Sequence, residues 1–184
     1  MSISVSCYPN EKELVKACLK NKRKAQRELY EKYSSRMFSL CLRYAKDADT
    51  AQDYLQEGFI TVFTKLKNYS GVGSFEGWMR RIFINTALME LRKNDILNDS
   101  EDVDELKTNI PYIENTLDKI QGKEVQKLIS QMPIGFRTVF NMNVIDGYSH
   151  QEIAEKLNIT EGASRSQLSR GRTWLKNRIL ELQK

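Results

Sequence analysis

Apolar residues in the first half of the chain recur at helical intervals and nowhere at the interval of a strand. Leu29, Tyr30, Tyr33, Met37, Phe38, Leu40, Cys41 and Tyr44 make one stripe with i, i+3, i+4 spacing, and Leu14, Val15, Cys18 and Leu19 make a shorter one before it. Asp47 and Asp49 bring capping chemistry ahead of a third stripe, Ala51, Leu55, Phe59, Val62, Phe63 and Leu66. Asn68–Ser74, with two glycines and small polar residues, interrupts the pattern. Ser74 then stands where an N-cap belongs, before a fourth helix through Trp78, Ile82, Phe83, Ala87 and Leu91 that ends near Lys93. No segment alternates with period two, and only 3 prolines occur in 184 residues, so an all-α fold is expected.

Charge divides this helical chain into parts. Residues 1–94 hold 17 Lys/Arg against 10 Asp/Glu, residues 95–118 hold a single base, Lys107, against eight acids, and residues 119–184 hold 11 bases against six acids. The middle stretch is also poor in aromatics, which marks a flexible acidic linker. The expected organisation is two small helical domains, 10–94 and 118–184, joined by a linker over 95–117. Two basic blocks around an acidic spacer suit modules that meet a polyanion, although charge alone serves solubility equally well.

Several function classes drop out early. No run of about 18 apolar residues exists, so direct membrane insertion is not expected, and Met1–Asn10 lacks the pattern of a secretory signal. Cys7, Cys18 and Cys41 are odd in number and show no C-x-x-C spacing, which argues for a reducing cytoplasm and against a disulfide framework or cysteine zinc site. His150 is the sole histidine; at the second position of a capping box it reads as a solvent-exposed helix-start residue without a metal or catalytic role. Gly71-Val72-Gly73 is not a dinucleotide fingerprint, and no phosphate-binding loop, nucleophile–base pair or metal cluster is visible. Neither an enzyme, a cofactor nor a metal is expected.

The strongest local signal lies near the C-terminus. Ser149-His150-Gln151-Glu152 is a capping box, in which Ser149 and Glu152 satisfy each other's orphan backbone donors. Ile153, Ala154 and Leu157 give the helix an inward face, Asn158 stops it, and Thr160 is suited to cap a second helix running to about Leu182. Short helix, tight turn and second helix make a helix-turn-helix. At about 100° per residue, Ser164, Leu168, Leu175 and Ile179 share one arc, while Ser166, Ser169, Arg170 and Thr173 oppose it and Arg165 and Arg172 flank it. An exposed Ser/Arg strip suits a DNA groove, since arginine grips guanine O6/N7 bidentately and serine reaches phosphate or a base edge.

Three stretches in this order resemble the RNA polymerase sigma factors of the extracytoplasmic-function group, over about Leu14–Leu180. Asp53-Tyr54-Leu55-Gln56-Glu57-Gly58-Phe59 resembles the family's D-L-x-Q-E-x-F core-polymerase-binding motif. Ser74–Asn85 resembles its F-x-x-W-L-x-R-I-x-x-N segment, and Gly162–Arg172 its G-T-V-K-S-R-L-x-R-A-R recognition helix. Gln167 and Gly171 stand where the family commonly has Arg and Ala, and Met89 where it is often polar.

The resemblance implies region 2, a helical bundle, over 10–94, and region 4, the helix-turn-helix, over 118–184. It implies core RNA polymerase (β′ and β subunits) and promoter DNA as partners, together with an anti-sigma factor. By the same resemblance Asp53, Gln56, Glu57 and Phe59 would dock on polymerase. Ser74, Arg80, Arg81 and Asn85 would hold the −10 element as a base is flipped from the melted strand at the Gly71–Ser74 loop. Arg165, Ser166, Ser169, Arg170 and Arg172 would read the −35 element in the major groove. Trp78 and Phe83 are expected to be mainly structural. The alternatives are a stand-alone helix-turn-helix regulator, which leaves the acidic turn at Asp53–Glu57 and the acidic spacer unexplained, and an adaptor protein that touches no promoter.

Overall fold

A computed structural model describes residues 7–93 and 122–182, and the chain divides into two compact units, Met1–Met89 and Glu90–Lys184. The described residues are helical and contain no strand. The acidic linker expected over 95–117 lies outside them.

The first unit begins with α1 (Glu11–Leu19), capped by Asn10, whose side chain accepts from the Glu13 N–H at 2.9 Å. Asn21 ends it in the left-handed region at φ 55°, with the N–H groups of Asn21 and Lys22 donating back to the carbonyls of Cys18 and Ala17. Those two bonds are a Schellman closure, which satisfies carbonyls that a helix end leaves open. Helix α2 (Arg23–Tyr44) follows at once, and three residues later Asp47 caps α3 (Ala48–Lys65) by accepting from the Thr50 N–H at 2.8 Å. A 3₁₀ turn, Leu66–Asn68, and an exposed loop lead to α4 (Phe75–Lys93).

The core of this unit follows the helical stripes. Leu29, Tyr33, Met37, Cys41 and Tyr44 of α2 are buried, as are Leu55, Phe59 and Val62 of α3 and Phe75, Met79, Phe83 and Ala87 of α4. Fully burying one such large side chain contributes about 1.5–3 kcal/mol. The tightest approach is at Gly58, where a β-carbon would stand 2.2 Å from Phe83 Cε1, so only glycine lets α3 and this ring come together. Tyr33 is buried with its hydroxyl donating to the Glu11 carboxylate, and Arg36 of α2 pairs with Glu76 of α4. Burial, then the Glu11 hydrogen bond, holds the Tyr33 phenol well above its ordinary pKa. Leu19 and Tyr30, placed on apolar stripes by the sequence, stand at the rim and are exposed.

The second unit contains α5 (Gly122–Gln131), α6 (Ile134–Phe140), a π-helical turn (Asn141–Ile145), α7 (His150–Leu157) and α8 (Glu161–Leu182). Pro133 separates α5 from α6, because it has no N–H to continue the first helix. The guanidinium of Arg137, itself buried, donates to the Ser130 carbonyl and so ties the two helices together. After the π turn, Gly147 at φ +76° redirects the chain into α7. Leu128, Met132, Phe136, Val139, Met142, Ile153, Leu157, Leu168 and Ile179 form the core.

Candidate nucleic-acid and polymerase interfaces

On α3 the carboxylates and amide singled out from the sequence do share a face. Asp53, Gln56 and Glu57 are exposed, one helical turn apart. Phe59 is not with them. It is buried, with its ring centroid 4.6 Å from that of Tyr30 and 5.2 Å from that of Phe83, so the docking role expected of it is corrected to a core role. One position on, a quarter-turn around the helix, places the next side chain outside: Ile60 is 59% exposed and follows Gln56 and Glu57 at i+4 and i+3. Ile60 stands off the Ala51–Leu66 stripe, about 100° around the helix from Phe59, and an isoleucine off that stripe is the sequence signal that could have found it.

The loop before α4 is shaped by two glycines with positive φ, Gly71 at 77° and Gly73 at 78°, which carry Val72 out to 83% exposure. The Tyr69 hydroxyl donates to the Gly73 carbonyl at 3.0 Å and closes the loop on itself. Its ring lies 5.0 Å from Phe75 and 5.4 Å from Trp78, and Phe75 and Trp78 stack at 5.6 Å with planes 22° apart. An aromatic platform thus stands at the loop's base, with Phe75 buried and Trp78 half-buried. Phe83 is wholly core, as expected, whereas Trp78 is core on one side only.

Ser74 is exposed and caps α4, its hydroxyl accepting from the Gly77 N–H at 3.3 Å and its carbonyl from the Trp78 N–H at 3.0 Å. Helical geometry puts Ser74, Trp78, Arg81 and Asn85 along one line of α4. Arg81 and Asn85 are exposed. Arg80, expected with Arg81 to hold the −10 element, is half-buried and turned about 100° from Arg81, so the two arginines do not share one line of α4.

The helix-turn-helix matches its sequence signature bond for bond. Ser149 Oγ accepts from the Glu152 N–H at 3.2 Å while Glu152 returns a carboxylate oxygen to the Ser149 N–H at 2.8 Å. Asn158 closes α7 in the left-handed region, and Thr160 Oγ1 accepts from the Ala163 N–H at 3.0 Å to open α8. On α8, Ser164, Leu168, Gly171 and Ile179 are buried, while Arg165, Ser166, Ser169, Arg170 and Arg172 are all exposed. Arg165 pairs with Glu161 one turn earlier, a contact at the surface that a phosphate can displace. Arg172 lies at the edge of the exposed arc, nearest Leu168 and Ile179.

One detail of this region departs from the sequence expectation, and a second accounts for a departure from the family pattern. His150 is half-buried, and its Nδ1 shares a 2.9 Å hydrogen bond with Ser164 Oγ, which joins α7 to α8. Gly171 is seated against α6: a β-carbon there would lie 3.3 Å from Met132 Sδ and 3.3 Å from Phe136 Cβ. The glycine that sequence propensity disfavours is explained by this close approach. Among the described residues, no group of three His, Cys, Asp or Glu is arranged to hold a metal, and no helix is long and apolar enough to cross a membrane.

Residues 29–96 match Sigma-70 region 2 and residues 122–175 match Sigma-70, region 4. The chain belongs to the sigma-70 family. Its curated relatives place it in the extracytoplasmic-function (ECF) group of alternative sigma factors. ECF RNA polymerase sigma factor SigE of Mycolicibacterium smegmatis is 33% identical over 154 residues, covering 82% of this chain and 60% of that protein. RNA polymerase sigma-H factor of Pseudomonas aeruginosa is 28% identical over 173 residues, 88% of this chain and 90% of its own. ECF RNA polymerase sigma-E factor of Haemophilus influenzae is 25% identical over 183 residues, 94% and 96% of the two chains. Among solved structures, the sigma factor RpoE of Bartonella quintana, in complex with the anti-sigma factor NepR, covers 86% of this chain and 98% of its own at 16% identity and TM-score 0.50, a likeness of fold. Sigma factors are recognition subunits of RNA polymerase and not enzymes, which accords with the absence of a catalytic constellation in the sequence.

Proposed function

We propose that this sigma factor divides promoter recognition among three surfaces. Asp53, Gln56 and Glu57, with Ile60 as an apolar centre, dock on core RNA polymerase, where the two carboxylates set register and on-rate against a basic partner surface. The Tyr69–Ser74 loop, with Trp78, Arg81 and Asn85, holds an unstacked base of the −10 element; a base–aromatic stack is worth about 1–3 kcal/mol, enough to offset much of the unstacking cost. Arg165, Ser166, Ser169 and Arg170 read the −35 element as duplex, with Arg172 on phosphate. Arg80, half-buried and off the line of Trp78, Arg81 and Asn85, takes no part in this base contact.

The observation that carries this reading is the opposition of faces on the first three turns of α8. Every residue matched to the family's recognition helix as a DNA contact is exposed, while Ser164, Leu168 and Gly171 are buried and Gln167 is half-buried. An anti-sigma protein, of the kind bound to the Bartonella factor, would silence the molecule by covering these surfaces.

Transcription with bacterial core polymerase on a mixed promoter pool tests the proposal. New start sites should appear only when the protein is added. Arg170→Ala should relax selection at particular −35 positions, each worth about 1–3 kcal/mol. Asp53→Ala with Glu57→Ala should abolish core binding without unfolding the bundle. Tight sequence-specific binding by the free protein, with no new starts, would establish a stand-alone regulator instead.

A further inference from the structure

The turn between α1 and α2 reads Lys20-Asn21-Lys22-Arg23-Lys24, and all five residues are exposed. It is a fixed turn, closed by the Schellman bonds from Asn21 and Lys22. The acids nearby are engaged elsewhere: Glu13 pairs with Lys16, Glu31 with Arg27, and Glu28 accepts from the Cys7 N–H. None of the four bases has an ion-pair partner among the described residues. Helices α2 and α3 run antiparallel through a three-residue connection, with Tyr30 against Phe59, so the Arg23 end of α2 lies beside the Lys65 end of α3. Lys65 and Lys67 are exposed there, also without an acidic partner among the described residues, and α1 packs on the 3₁₀ turn that contains Lys67. Six bases therefore occupy one end of the bundle. Like charges held this close repel one another, which a bound polyanion relieves.

The chain fixes which polyanion. From Lys67 the backbone enters the Tyr69–Ser74 loop within two residues. A nucleic-acid strand held at that loop brings its phosphates to the basic end. We propose that Lys20, Lys22, Arg23, Lys24, Lys65 and Lys67 form a phosphate clamp that grips the backbone of the opened promoter strand beside the −10 loop. The contact is independent of sequence, and it rests on the DNA-facing assignment of that loop. Because the turn is already closed by backbone bonds, little ordering entropy is lost when it engages.

The test uses the full-length protein with a fluorescein-labelled oligothymidine of about 30 nucleotides, long enough for one single-strand site. Anisotropy is measured across a salt series for the wild type, for Lys20→Gln/Lys22→Gln/Arg23→Gln/Lys24→Gln, and for Lys65→Gln/Lys67→Gln. Each single-strand phosphate contact contributes about 0.7 to the slope of log affinity against log salt, so losing four flattens it by about 2.8. Between about 50 and 200 mM salt, the quadruple variant should then lose about 50-fold less affinity than the wild type. Removing Lys65 and Lys67 should flatten the slope by about 1.4. Circular dichroism confirms folding, and the double variant decides the matter should the quadruple variant fail to fold. Unchanged slopes overturn the clamp and leave a merely solvated basic turn. Unchanged slopes with weakened core-polymerase binding place a protein on this surface instead. A wild type that binds oligothymidine but not core polymerase refutes the sigma role, while the slopes still decide the clamp.

Discussion

Replacing Gly58 by alanine would put a methyl group inside the Phe83 ring. The new carbon would stand 2.2 Å from Cε1 and 2.4 Å from Cδ1, against an ordinary carbon–carbon contact of about 3.5–4.0 Å. Phe83 is fully buried, with Phe59 packed edge-on at 5.2 Å, so the ring has no vacant space to swing into. Overpacking a core costs about 1–3 kcal/mol, and an intrusion of this depth belongs at the upper end. Alanine returns about 1 kcal/mol through its better helix propensity. The expected net loss is about 2 kcal/mol, which for a unit of this size lowers Tm by about 8–16 °C. Urea unfolding in a Trp174→Phe background isolates the first unit, since Trp78 is then the sole tryptophan. The midpoint should fall with the m value unchanged. Adding Phe83→Leu should recover part of the loss, because the two sites share one space. A Gly58→Ala protein that is more stable than wild type by about 1 kcal/mol would refute the argument, since helix propensity alone would then have decided.

Three further outcomes are expected. Ser149→Ala removes the accepting half of the capping box and should cost the second unit about 1 kcal/mol, whereas Ser149→Gly should cost only a few tenths; tryptophan fluorescence of a Trp78→Phe variant reads both. Hydrogen bonding from Thr50, side chain and backbone, holds the Asp47 carboxyl below its usual range, so its contribution is present at neutral pH and lost as pH falls through that lowered value. Asp47→Ala should therefore lower stability at pH 7 and lose less than wild type on acidification, as thermal melts across pH 2–7 will show (~5 units of pH). Burial pushes the Cys41 thiol up to about 12 and the Cys18 thiol up to about 11, while Cys7 is exposed. Iodoacetamide on the folded protein should modify Cys7 alone, and mass spectrometry showing rapid labelling of Cys41 would contradict the burial.

Helix ends and the second helix of the helix-turn-helix were legible in the sequence because their determinants are local. Asp47, Ser149, Asn158 and Thr160 act on backbone groups within a few residues. The opposed faces of α8 follow from helical period alone. What escaped the sequence depends on contacts between elements. Phe59 carries two readings in the sequence, a place on the apolar stripe and a place in the docking motif, and Tyr30 and Phe83 on other helices decide for the first. His150 becomes half-buried because Ser164, fourteen residues on, brings a hydroxyl to its ring. The π turn at Asn141–Ile145 leaves no residue signature that periodicity detects.

The burial pattern of α8 has an evolutionary consequence. Ser164 and Gly171 anchor the helix to α7 and α6 on its inner side, and Arg165, Ser166, Ser169 and Arg170 contribute nothing to that anchorage. Substitutions at such exposed positions usually change stability by less than about 0.5 kcal/mol. The four side chains can therefore be rewritten together, as letters on a fixed drum, while the fold stays intact; on the −35 reading proposed above, a duplicated copy of the gene could drift to a new set of promoters in this way.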